Sequence, residues 1–199
     1  YSIDYERDIN SLDEIYWSNE LGVNRSLEYL KSRSALRNSL SNLFNLNPLE
    51  IPIYSKPGKI PILSNKYGYI SISHCKDAIM IGWSNFKIGI DIERKDKKFN
   101  LDLLKHKIFS EKELNYLNSH ENFNNETLLL GWTSKESAIK CENKSIFSNL
   151  KNLHWDQNKR EISNKKTNTK FKLIYYFYRD WILTTAYQKV NDFDKVNFM

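Results

Sequence analysis

Apolar residues recur at helical spacing in two stretches of the chain, and each stretch is followed by segments that alternate. From about Ser26 to Phe44, Leu27, Leu30, Ala35, Leu36, Leu40 and Leu43 fall at helical intervals, while Lys31, Arg33 and Arg37 decorate other faces. Asn47-Pro48 closes that helix, because a residue before proline avoids the helical region. IPIYSKPGKIPIL (51–63) carries three prolines and a glycine, which exclude a central strand and leave extended edges around a turn at Lys56-Pro57-Gly58-Lys59. Tyr69–Ser73 and Ala78–Trp83 read as a hairpin across His74-Cys75-Lys76-Asp77. Next, FKIGIDIERK (86–95) alternates as a strand, with Ile88, Ile90 and Ile92 on one face and Gly89, Asp91 and Glu93 on the other.

Ser110-Glu111-Lys112-Glu113 is a capping box that opens a helix to about Leu117. SHENFNNE (119–126) is a loop, and a second long helix is expected over about Thr127 to Cys141, tolerating Gly131. Residues 143–170, rich in Asn, Lys and Ser, hold strand-like fragments at best, and Phe171–Tyr178 with Trp181–Gln188 form a last hairpin turning at Arg179-Asp180. Residues 1–24 are polar and mixed, with Tyr16 and Trp17 as anchors onto a core. The order helix-then-hairpin thus occurs twice, half a chain apart. It predicts an α+β protein of two similar lobes, 1–95 and 96–199, with a ligand cleft between them.

Composition narrows the class. With 40% hydrophobic and 14% aromatic residues the chain is not a disordered one. Its net charge of +6 favours an acidic partner: nucleic acid, anionic membrane, acidic protein or small polyanion. Cys75 and Cys141 stand in no metal-ligand spacing and suit a reducing cytosol. No apolar run approaches the roughly 18 residues of a membrane span. The opening YSIDYERD has charges where a signal peptide would be apolar, so a soluble, cytoplasmic protein is expected.

Four stretches carry candidate chemistry. Asp91 and Glu93 lie about 7 Å apart along their strand and repel unless a cation intervenes, or they form a solvated edge; Gly89 beside them leaves room for a close approach. In WTSKESAIK (132–140), Glu136 and Lys140 share a helix face; they are an ion pair, with Thr133-x-x-Glu136 a capping box, or else Glu136 completes a carboxylate trio for a hard cation and Lys140 meets a phosphate. Ser71-Ile72-Ser73-His74 ends a strand where it could touch phosphate, and the Pro57-Gly58-Lys59 turn could cradle an anion.

In this order, GIDIE and WTSKESAIK resemble the two signature motifs of the 4′-phosphopantetheinyl transferase superfamily. ISISHC is similar to that family's strand ending in Ser-His, GKIPIL to its Gly-Lys-Pro turn, LKSRSALRNSL to its basic first helix and FSEKE to the segment between the signatures. The resemblance spans roughly Arg25 to Lys140, departing from the pattern where Ile60 separates Lys59 from Pro61 and where Ser71 replaces a common Asn. Length favours the surfactin-synthetase-activating (Sfp) type, a monomer built as a pseudo-dimer of two lobes.

The resemblance implies transfer of the 4′-phosphopantetheine arm of coenzyme A to a serine of an apo acyl or peptidyl carrier protein, with neither nucleic acid nor membrane as partner. It implies Mg²⁺ on Asp91, Glu93 and Glu136, Glu136 as the group taking the serine proton, and Lys140, His74 and more weakly Lys135 on the pyrophosphate. Lys56, Gly58, Lys59, Arg25 and Ser73 would meet the 3′-phosphate and adenine, Gly89 would give clearance for the pyrophosphate, and Arg33 and Arg37 either join them or pair across the lobes. Two other readings compete. One is a metal-dependent nuclease using Asp77 and Glu93-x-Lys95; the other is a basic RNA-binding protein using Tyr175, Tyr176 and Tyr178, although packing explains some of those tyrosines.

Overall fold

The computed structural model describes residues 9–97, 101–119, 124–143 and 150–188, with backbone alone at 65 and 101–104. The chain divides into two compact units, Tyr1–Asn85 and Phe86–Met199. The strand at 88–94, assigned to the first lobe by sequence, belongs to the second unit because its pairing partner lies near the end of the chain.

In the first unit, α1 (Leu12–Ser18) starts at a capping box in which the Glu14 carboxylate accepts the Ser11 N–H at 2.8 Å. Trp17 packs edge-on against Tyr54 at 5.4 Å, but Tyr16 is exposed rather than an anchor. The long helix α2 (Val23–Phe44) ends at Asn45, which adopts φ 51° just before the Asn47-Pro48 stop. Its buried face differs from the leucine stripe: Leu27 and Leu43 are exposed, while Arg33 and Arg37 are buried with Tyr29, Leu36 and Leu40. Arg37 is held there by Glu14 at 2.8 Å and by the carbonyls of Pro48 and Ile51, so its partners lie within its own unit. Arg33 lies over the Tyr29 ring at 4.7 Å. The strands β1 (Ile53–Tyr54) and β2 (Ile62–Leu63) pair around the expected turn, and β3 (Tyr69–Cys75) and β4 (Ala78–Ser84) form the expected hairpin. Leu36, Leu40, Ile51, Leu63 and Ile70 make the core.

The second unit is a five-stranded antiparallel sheet covered by helices. Its strands are β5 (Ile88–Arg94), β6 (Leu153–Asp156), β7 (Glu161–Asn164), β8 (Thr169–Tyr178) and β9 (Trp181–Tyr187), in the order β5-β9-β8-β7-β6. The helices are α3 (Leu101–Ile108), α4 (Glu111–Asn118) and α5 (Asn125–Cys141). Within 143–170 the sequence pattern resolves into β6 and β7, each four residues long. The packed face is set by register. Phe171, Leu173, Ile182, Ala186, Ile162 and Trp155 join Ile108, Phe109, Leu114, Leu129 and Ile139 in one core. On β5 this face is the one bearing Gly89, Asp91 and Glu93, because Gly89 pairs with Ala186, Asp91 with Thr184 and Glu93 with Ile182.

Gly89 is needed for packing. A Cβ there would lie 2.0 Å from the Ser137 carbonyl oxygen and 2.3 Å from the Cys141 nitrogen. What approaches this glycine is therefore the backbone of α5, which corrects the expectation of clearance for a pyrophosphate. Gly89→Ala is expected to lose about 3 kcal/mol or more in urea unfolding, since rigid backbone must move. Gly22→Ala, where nothing lies within 4 Å, should cost less than about 1 kcal/mol. Equal effects of the two substitutions would refute this account of α5 packing.

Candidate functional site

Helix α5 begins where the Asn124 side chain accepts the Thr127 N–H at 2.9 Å, so Thr133 and Glu136 fall in its interior rather than at a cap. The Thr133 hydroxyl bonds back to the Leu130 carbonyl at 3.1 Å. Because α5 sits on Gly89, the helix face carrying Glu136 and Lys140 looks onto Asp91, two residues along the same strand face. The Lys140 ammonium lies 2.6 Å from Asp91 Oδ1, so Lys140 takes this partner from the strand. Asp91 is 2% and Glu136 7% exposed, which excludes the solvated acidic edge.

Glu136 shows what that enclosure does. Its pKa is pushed up to about 8, first by burial, then by the negative charge of Asp91; Lys140 opposes the shift, while a hydrogen bond that the protonated Glu136 donates to Asp91 and the charge of Glu93 add to it. Buried this close to a second carboxylate, Glu136 keeps its proton at neutral pH. Beneath them, the Thr184 hydroxyl donates to Thr133 at 2.9 Å, joining β9, the strand beside Asp91, to α5. The donors fit a hard cation in kind: oxygen ligands in mutual repulsion, with a lysine supplying compensating positive charge. Glu93 is ion-paired with Lys97, and among the described residues no three His, Cys, Asp or Glu side chains converge as metal ligands.

Lys135 does not enter this site. It is adjacent to Glu136, so it points about 100° around the helix. There it is fully buried, with its ammonium 2.8 Å from the Ile108 carbonyl, 2.9 Å from the Glu113 carboxylate and 3.3 Å from the Leu150 carbonyl. Burial lowers its pKa to about 8 against the pull of Glu113. Glu113, which the sequence marks as a capping-box residue, also accepts the Ser110 N–H at 2.7 Å and the Trp155 N–H at 2.8 Å. This hub joins α4, α5 and β6, and only its cap was visible as a local motif. Thr184 carries no local signal either, since its role follows from pairing with Asp91 across the sheet.

The remaining expected residues lie in the first unit. Arg25 is exposed in the first turn of α2. Lys56 and Lys59 flank Gly58, whose φ of +72° makes the turn in which the Lys59 N–H bonds the Lys56 carbonyl at 3.0 Å. Ser73 is buried, whereas His74 is exposed and lies within β3, paired with Ile79, rather than in the loop. No helix among the described residues is long and apolar enough to cross a membrane.

The family profile described as the 4′-phosphopantetheinyl transferase superfamily matches residues 87–186, just over half of the chain and including both carboxylate-bearing segments. The chain is also 27% identical over 161 residues to the 4′-phosphopantetheinyl transferase gsp of Aneurinibacillus migulanus. That alignment covers 75% of this chain and 66% of the relative, slightly under two thirds of its length.

Two outcomes are expected. A carboxyl group whose folded pKa is near 8 rather than 4.5 binds its proton more tightly in the native state, so the stability it lends is full below about pH 4.5 and is lost as pH rises through about 8. Urea unfolding in chelator should therefore show a decline on the order of a few kcal/mol across that window, absent in Glu136→Gln. A parallel decline in the variant would contradict the assignment. Glu113→Ala, which strands the Lys135 charge, should cost about 3–5 kcal/mol, and pairing Glu113→Leu with Lys135→Met should recover at least half of that.

Proposed function

The chain belongs to the 4′-phosphopantetheinyl transferase superfamily, and on that premise we propose that it transfers the 4′-phosphopantetheine arm of coenzyme A to a serine hydroxyl of an apo acyl or peptidyl carrier protein. The observation that carries this reading is the meeting of Asp91, Glu136 and Lys140, drawn from the two signature segments, in one nearly dry corner. In the proposed reaction the serine oxygen forms a new bond to the phosphorus bearing the pantetheine arm. The pyrophosphate P–O bond breaks, adenosine 3′,5′-bisphosphate departs, and the serine proton passes to Glu136. Phosphoryl transfer asks the protein mainly for positioning and charge neutralisation.

Asp91 and Glu136 would hold Mg²⁺, with Glu93 as a third oxygen ligand once it leaves Lys97. When bound, the ion would supply positive charge for the leaving phosphate and favour the ionised form of Glu136. Lys140, flexible and only partly enclosed, turns from Asp91 to a pyrophosphate oxygen. Glu136, once ionised, accepts the serine proton. In the first unit, Arg25, Lys56, Lys59 and His74 are accessible groups suited to coenzyme A phosphates, with the Gly58 turn and Ser73 supplying backbone and hydroxyl contacts. Lys135 has no part in binding. The same reading takes the two compact units as the two lobes of a monomer. The nuclease reading is less supported, because the Lys95 ammonium rests on the Phe177 ring at 5.4 Å and Glu93 pairs with Lys97.

Intact-mass analysis of an apo carrier protein incubated with the chain, Mg²⁺ and coenzyme A should show a phosphopantetheine adduct. Asp91→Ala should abolish it, and Glu136→Ala should slow it at least about 100-fold, as expected for loss of a positioned base. Mg²⁺ should raise the melting temperature of the wild type but not of Asp91→Ala. Absence of adduct on fatty-acid, polyketide and peptide carriers alike would overturn the reading.

A further inference from the structure

The outer stretch of β8 is aromatic where it meets solvent: Tyr176, Phe177 and Tyr178 are 49%, 44% and 54% exposed. Core packing accounts for Tyr175 one residue earlier, which lies against the hydrophobic cluster, but not for these three. Two cations rest on this stretch. The Lys95 ammonium is 5.4 Å from the Phe177 ring centre, and the Arg179 guanidinium is 5.3 Å from that of Tyr178. Among the described residues neither cation pairs with a carboxylate, whereas Arg94, Lys97, Lys140 and Lys172 in the same unit all do. A cation seated on a ring keeps its full charge available to a partner.

We propose that this tip of the β8–β9 hairpin is a docking surface for an acidic, amphipathic face of the protein acceptor, a proposal that rests on the transferase reading above. Register places it beside the site: Phe177 pairs with Ile182, and Ile182 with Glu93. Those two strand spacings amount to about 10 Å. A protein partner of ordinary affinity covers roughly 800 Å² on each side, a patch about 30 Å across. An acceptor whose serine reaches Asp91 and Glu136 over Glu93 therefore lies on the hairpin tip, which coenzyme A does not need. Phe177 lies on the sheet face of Glu93 while Tyr176 and Tyr178 lie on the opposite face, so a partner that wraps the hairpin tip meets rings from both faces, and Lys95 and Arg179 match its carboxylates. The alternative of single-stranded RNA is less suited. Base stacking needs open ring faces, but Phe177 and Tyr178 each have a cation on one face, and Tyr178 also stacks on Trp181 at 6.5 Å and 17°.

The test uses the whole chain with a purified acidic apo acyl carrier protein as probe. In the double variant Lys95→Glu/Arg179→Glu, KM for the carrier should rise at least tenfold, while kcat and KM for coenzyme A stay within twofold. The milder Lys95→Gln/Arg179→Gln should show an intermediate rise, guarding against a folding defect. Raising salt from 50 to 300 mM should weaken the carrier interaction of the wild type more than that of either variant. An unchanged carrier KM overturns the proposal, as does an equal shift in KM for coenzyme A. Binding of a labelled single-stranded RNA that the variants lose, with carrier KM unchanged, assigns the surface to nucleic acid and likewise overturns it. A wild type that modifies no carrier removes the transferase reading itself, and the surface proposal with it.

Discussion

The contact between the backbone of α5 and the bare α-carbon of Gly89 sets the geometry of the candidate site. With the helix seated there, Glu136, next to Ser137, and Lys140, one turn on, look onto Asp91 two residues farther along the strand. The same contact removes water from both carboxyl groups. Position and electrostatics thus have one origin: the approach that brings Asp91 and Glu136 together also raises the proton affinity of Glu136 and makes Lys140 a needed counter-charge. The hydroxyl pair Thr133–Thr184 lies in the same layer and ties helix to sheet there.

Both units also share a device for orienting their long helix. In each, a short helix opens with a Ser–Glu capping box, and the capping glutamate accepts a buried cation from the longer helix that follows. Glu14 receives Arg37 from α2, and Glu113 receives Lys135 from α5. A carboxylate already fixed by its cap offers a pre-oriented partner, so the desolvated cation has one favourable position and the helix one favourable rotation. Buried pairs of this kind add modest net stability but discriminate strongly against a mis-rotated helix, because a stranded charge is costly.

The elements that sequence periodicity reveals are those with long, self-sufficient patterns: α2, α5, both major hairpins and the capping box of α4. The ones it misses are short or depend on partners. Strands β6 and β7 are four residues each and acquire their apolar face only by joining the sheet, β7 beside β8 and β6 beside β7. Helix α1 is seven residues long, and its capping box lies in a stretch whose overall composition is polar. Within the candidate site, the four-residue spacing of Glu136 and Lys140 encodes a shared helix face, whereas their meeting with Asp91 is written in no local pattern. Motif membership says nothing about rotation, so it places Lys135 on the wrong side; a single helical step turns it from the site to Glu113. The arginines of α2 were ambiguous for the same reason: Leu27 and Leu43 satisfy the helical period yet lie outside, while Arg37 is buried by a glutamate more than twenty positions earlier.

The meeting of Gly89 with α5 has an uneven consequence for inherited variation. On the helix side the touching atoms are main-chain atoms of Ser137, Lys140 and Cys141, which every amino acid shares. On the strand side the requirement is the lack of any side chain, which a single residue type meets. Drift along α5 can therefore exchange side chains without disturbing the join, provided they suit their own neighbours, whereas position 89 has no neutral alternatives. The tolerance of the junction is lodged almost wholly in one partner, and its fragility in a single codon of the other.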